Sequence, residues 1–136
     1  MSFGASAALQ TAVYQVLATD AGLAALVGTA IYDEVPAGPV SGVLISLGEG
    51  EVRDISDISG GMGDHRFDIS VISDAEGFRT AKLAAEAVTD ALVDSAPAMT
   101  RGRVVSLRFM RARARRVRAG QSRRIDMTFR AIVEDT

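Results

Sequence analysis

Apolar residues fall at helical intervals early in the chain, switch to alternation, return to a helical stripe and end in alternation again. Leu9, Val13, Val16 and Leu17, set among Ala5, Ala7, Ala8 and Ala12, predict a helix over 5–18. Asp20 stands where an N-cap belongs, ahead of Leu23, Leu26 and Val27. Gly28 stands where the C-cap glycine of that short second helix belongs. Ile31-Tyr32 fits a brief strand, and Pro36-Ala37-Gly38-Pro39 is a rigid turn that neither a helix nor a central strand accommodates. Val43 to Leu47 reads as a strand. Residues 49–63 are polar and glycine-rich, and they read as a long mobile loop.

From residue 64 the pattern alternates. His65, Phe67, Ile69 and Val71 share one face of a predicted strand; Arg66, Asp68 and Ser70 share the other. Ser73-Asp74-Ala75-Glu76 has the form of a capping box and would open a helix over 75–94. The apolar stripe of that helix is Phe78, Ala81, Ala85, Val88 and Leu92, widened by Ala84 and Ala91. Its small side chains allow close approach to a sheet, and Pro97 marks its end. Residues 103–134 form a predicted hairpin. Val105, Leu107 and Phe109 lie on one face of its first strand, and the apolar phase then shifts to Met110, Ala112 and Ala114, as a β-bulge would cause. Ala119-Gly120-Gln121-Ser122 supplies the turn, and Ile125, Met127, Phe129, Ala131 and Val133 share one face of the return strand. Residues 110–124 have few large apolar side chains and are expected to project as an arm.

This order predicts an α+β fold, with a small antiparallel sheet of about four strands, helices packed on one face and a projecting C-terminal β-hairpin. Residues 1–136 fit a single domain by size. With 48% hydrophobic residues and no tryptophan, the core must be built from Ala, Val, Leu and Ile. The absence of cysteine excludes disulfides and thiolate metal sites. Neither a signal-peptide pattern nor a membrane-length apolar run is visible, so cytoplasmic synthesis without a membrane partner is expected.

Charge changes the picture most. Residues 101–136 hold 11 of the 15 basic residues and 3 of the 17 acidic ones, a balance of +8; residues 1–100 hold 4 and 14, a balance of −10. The basic residues of the hairpin are all arginines: Arg108, Arg111, Arg113, Arg115, Arg116, Arg118, Arg123 and Arg124 among them. On a strand, Arg111, Arg113 and Arg115 point the same way, about 6.6 Å apart. In water each neighbouring pair repels by roughly 0.6 kcal/mol before screening, so a negative partner would relieve the ladder. Three readings are open. The ladder is a solvated face with local carboxylate neighbours, a nucleic-acid surface, or an interface with another subunit or protein. Arg111 to Arg124 contains no aromatic residue to stack on bases. The arginine fork suits interface carboxylates, and opposite poles on one molecule pair head to tail. The acidic and apolar residues Glu49, Glu51, Asp54, Asp57 and Met62 in the presumed loop are the candidates for docking to neighbours.

No catalytic pattern competes with this reading. The lone histidine, His65, lies on the apolar face of its strand, and no G-x-S-x-G or H-E-x-x-H motif occurs. Asp33-Glu34 and Asp54/Asp57 read as solvated loop carboxylates. Gly60-Gly61-Met62-Gly63 lacks the Lys-Ser/Thr of a P-loop. The expectation is a non-enzyme with no cofactor and no metal.

The ordered series of segments resembles the phage tail-completion, or tail-terminator, family. It comprises Asp20-Ala21-Gly22-Leu23 to Gly28, Ile31 to Pro36, the Val43–Leu47 strand, His65 to Val71 followed by Ser73 to Gly77, Ala81-Lys82 and Ala85-Glu86-Ala87-Val88, Val104 to Leu107 and the Arg124–Val133 strand. The alanine- and arginine-rich composition is similar to the version encoded by alphaproteobacterial gene transfer agents, phage-like particles that package host DNA. The resemblance implies a virion structural protein that forms a ring, a hexamer, closing the tail tube and meeting the head–neck connector. It also implies that DNA transits the lumen without specific binding. The family brings no catalytic residues. A free-standing nucleic-acid-binding module using the arginine hairpin is the alternative.

Overall fold

The alternating segments close into one five-stranded sheet backed by three helices. The computed structural model describes residues 4–35, 41–56, 60–93, 95–117 and 122–135. Its elements are α1 (Ser6–Ala18), α2 (Ala21–Val27), β1 (Ile31–Tyr32), β2 (Val43–Asp54), β3 (Gly61–Ser73), α3 (Arg79–Leu92), β4 (Arg103–Val117) and β5 (Ser122–Asp135). The strand order is β1-β2-β3-β5-β4. All pairs are antiparallel except β1 with β2, which meet in parallel through Ile31–Ile45 and Tyr32–Ser46 alone. The α+β architecture with helices on one sheet face is as the sequence predicts, with this short fifth strand added.

Local chemistry explains most element ends. Asp20 accepts a hydrogen bond from the Leu23 N–H at 2.8 Å, satisfying a donor left free in the first turn of α2. Gly28 ends that helix at a φ of 61°. Replacing Asp20 with Ala is expected to cost about 1 kcal/mol, measurable by urea denaturation. The capping box expected at Ser73 does not form. Ser73 Oγ accepts from the Ala75 N–H in a tight turn, and Gly77 then takes a φ of 71°. A left-handed residue interrupts right-handed helix, so α3 starts after it, at Arg79. Ala81, Ala84, Val88 and Leu92 of α3 are buried against the sheet, as the stripe predicts.

The long loop expected over 49–63 is mostly strand. β2 continues through Asp54 and pairs with β3, from Gly50–Phe67 to Asp54–Gly63, after a bulge between Leu47 and Gly50. Backbone pairing across the hairpin outweighs the weak strand preference of Gly48-Glu49-Gly50-Glu51. The C-terminal strands form the predicted hairpin, and next to its turn the described residues Arg111–Val117 of β4 pair with Ser122–Thr128 of β5. β5 pairs with β3 from Asp135–Gly61 to Arg123–Ser73 and with β4 on its other side. β4 is poor in large apolar residues because it is the outermost strand. The predicted phase shift is real: the β4–β5 register slips between Phe109 and Arg111, and again between Val104 and Ser106. The predicted turns at Pro36-Ala37-Gly38-Pro39 and at 119–121 lie outside the described residues.

The core lies between the helices and one sheet face. It gathers Leu9, Val13 and Leu17 from α1, Leu23 from α2, Val88 and Leu92 from α3, and Ile45, Ile69, Val71, Met127 and Phe129 from the strands. Phe129 is fully buried at its centre, with its ring stacked on Phe67 and edge-on to Phe109, both at 5.8 Å.

Candidate functional site

Strand alternation sends the side chains of the last third to two different surfaces. Arg108, Arg111, Arg113 and Arg115 of β4 stand opposite Arg130, Thr128, Asp126 and Arg124 of β5, all on the helix-free face. Arg116 falls on the other face, opposite Arg123, whose guanidinium lies 5.7 Å from the centre of the Phe78 ring. Arg118 lies outside the described residues.

The helix-free face neutralises part of its own charge. Asp126 accepts from Ser70 Oγ at 2.6 Å, from Arg124 Nε at 2.7 Å and from Arg115 Nε at 3.2 Å. Burial would push its carboxyl up, but these three donors outweigh burial and hold it below the usual carboxylate range. Asp64 is buried beneath Arg130, which donates from Nε at 3.0 Å to one oxygen and lies 3.0 Å from the other through Nη2; Arg66 approaches to 3.6 Å. The hydrogen bond from Arg130 is the main cause of the lowered Asp64 pKa. Arg101 and Arg103 pair with Asp135 and Glu134 at the end of the hairpin. Arg108, Arg111 and Arg113 remain exposed and form no ion pair among the described residues. The predicted ladder is therefore divided, with Arg115 satisfied within the subunit and the other two members, joined by Arg108, open.

The presumed docking residues also divide. Glu49, Glu51 and Asp54 are on β2, and Met62 on β3, where its N–H donates to Ser56 Oγ and its C=O accepts from the Ile55 N–H. Asp57 lies outside the described residues. Glu49, Glu51 and Arg111 line one open depression of about 510 Å³ on the helix-free face, with Asp68 and Thr128 on its floor. That depression is acidic on its β2 side, through Glu49 and Glu51, and basic on its β4 side, through Arg111.

Sequence reasoning missed two features. First, both outer strands present open edges. Among the described residues β4 has no strand beyond it, and β1 covers only Ile45 and Ser46 of β2, which leaves Gly48 to Asp54 without a strand on that side. The signal was present in the Glu49-Gly50-Glu51-Val52-Arg53 alternation, obscured by its glycines. Second, beside the β2 edge on the helix face lies a pocket of about 180 Å³, lined by Leu9, Val13, Leu47, Val52, His65 and Phe67. His65 is 2% exposed, and its Nε2 has no hydrogen-bond partner among the described residues. Burial lowers its pKa. No helix among the described residues is long and apolar enough to cross a membrane.

The described residues thus form a small mixed sheet with helices on one face, a charged surface on the other and unpaired outer edges on β2 and β4. The chain matches the tail completion protein gp17 family over residues 11–134, and it belongs to that family. It is similar, at 57% identity and a TM-score of 0.91, to a chain in the solved structure of the virion of a native gene transfer agent particle; the match covers 98% of this chain and 99% of that one. No protein with a curated description matches it.

Proposed function

We propose that this protein is the tail-completion subunit of a phage-like particle of the gene transfer agent type. Six copies form a ring that ends the tail tube and joins it to the head–neck connector. The helix-free face lines the lumen, and DNA passes it without sequence-specific contact. The subunit is made in the cytoplasm and acts by position rather than by catalysis. One observation carries this reading: near-complete coverage at 57% identity with a chain of such a virion. The charge distribution supports it, because the arginine-rich helix-free side of β4, with Arg113 among its exposed residues, attracts phosphates while no aromatic residue accompanies it on that face for base stacking.

Native mass spectrometry of the purified chain, alone and with tube protein, is expected to give a closed sixfold species. The three open arginines also suit a free-standing nucleic-acid module. That reading predicts a monomer whose DNA affinity falls steeply with salt. A chain that stays monomeric with tube protein and binds DNA tightly would replace the ring with the module.

A further inference from the structure

Resting on the ring reading, we infer how neighbouring subunits join: the free edge of β4 in one copy adds to the free edge of β2 in the next, extending the sheet from subunit to subunit. An unpaired strand edge offers a row of N–H and C=O groups that pairs readily with another strand. Among the described residues this chain carries one such edge at each end of its sheet. Rotation about an axis along the strands preserves both strand direction and sheet face. β2 and β4 run in opposite senses within the subunit, since each of the three intervening pairings is antiparallel. Across the junction they therefore meet antiparallel, with helix face continuing helix face.

The rows of the sheet then specify the contacts. Glu51, Arg66, Arg130 and Arg108 form one cross-strand row; Gly50, Phe67, Phe129 and Phe109 form the next. Asp68, Thr128 and Arg111 form the row after that, at the level of the β2 bulge that contains Glu49. Unstaggered addition sets Arg108 of one copy against Glu51 of the next, and Arg111 against Glu49. Two of the three arginines without internal partners thus meet the acidic segment of β2, and Arg113 stays open. Between them, Phe109 comes to Gly50, on the helix face. It is 43% exposed in the single subunit. The pocket beside Gly50, about 180 Å³, is large enough for its ring, since a cavity of roughly 150 Å³ accepts benzene. Opposite charge, matching apolar shape and free backbone edges coincide at one register, and the occupant they fit is a second copy of this chain.

The natural sequence has no cysteine, so a double variant, Glu51→Cys with Arg108→Cys, can form disulfides only between these positions. Oxidised under assembly conditions, with or without tube protein as the ring requires, it is expected to run as a ladder of multimers on a denaturing gel, while each single variant gives at most dimers. A second arm uses charge. Arg108→Glu with Arg111→Glu should block ring formation, as should Glu49→Arg with Glu51→Arg, and all four changes in one chain should restore it. Circular dichroism on each variant separates lost assembly from lost fold, and the restored quadruple variant is decisive even if a double variant is poorly folded. A native-mass ring that gives neither ladder nor charge rescue overturns the edge pairing and leaves the ring intact. Absence of any ring under all conditions overturns both.

Discussion

Replacing Phe129 with Ala is expected to lower stability by about 3–5 kcal/mol, the cost of emptying a large buried aromatic site. Phe129 is fully buried, and its ring is the link between Phe67 on β3 and Phe109 on β4. Its removal forfeits two aromatic contacts as well as burial, each contact contributing about 0.5–1.5 kcal/mol. A cavity at this position can collapse little, because α3 rests on the same face through Ala81, Ala84 and Val88, which are themselves small and fixed. For a chain of this size the melting temperature should fall by roughly 10 to 20 °C. Phe109→Ala is the matched control. Being 43% exposed and making one of the two aromatic contacts, Phe109 should cost about 1–2 kcal/mol in the free subunit, well below the loss at Phe129. Thermal denaturation of both variants decides the matter, and near-equal losses would show that the core is not centred on β5.

The contrast between these two residues tracks what the sequence could and could not convey. The face of β5 was legible because strict alternation from Ile125 to Val133 leaves one assignment, and all five residues on that face are buried. The Asp20 cap and Gly28 stop were legible because they are local: a carboxylate three residues before a backbone N–H, and a glycine at positive φ. The helix start at α3 misled because Ser73 and Glu76 satisfy a capping pattern that Gly77 then interrupts. The β2 extension was hidden for a different reason. Glycine and glutamate are weak strand formers, and only the pairing with His65, Arg66 and Phe67 across the hairpin makes that segment a strand. The arginine ladder was visible as a ladder, but its division was not. Whether Arg115 is paired depends on where Asp126 falls in the β4–β5 register, which the sequence of either strand taken alone does not specify.

The open edges follow from the same physics. A subunit that completed its own pairing would leave no backbone groups for assembly, whereas two exposed edges in one protein invite uncontrolled pairing. Here charge restricts that pairing. Like edges repel, arginine against arginine on β4, while β2 brings Glu49 and Glu51. The preference for unlike edges turns an aggregation liability into directional addition.

The second large effect is expected at Asp64. Asp64→Ala should cost about 2–3 kcal/mol, because it leaves Arg130 and Arg66 side by side without their shared carboxylate; Asp64 is 4% exposed, and both arginines remain partly solvated, which keeps the loss below that of a fully buried pair. The same carboxylate makes stability depend on pH. The Arg130 hydrogen bond lowers its folded pKa below the unfolded value of 3.8, so the folded state favours the ionised form. That contribution is complete above pH 3.8 and is lost as pH falls through the lower folded value. Asp126 and Asp135 are shifted in the same direction and add to this acid limb. His65 acts in a separate window. Burial lowers its pKa from 6.5, against the opposing pull of Asp64 and Asp135, so protonation below pH 6.5 favours the unfolded chain. Urea midpoints measured from pH 8 to pH 3 should therefore fall in two stages. His65→Gln should flatten the first and Asp64→Asn should shallow the second. A first stage that survives in His65→Gln would assign it to another group, and an unchanged second stage in Asp64→Asn would show that the Arg130 pairing contributes nothing to holding β3 against β5.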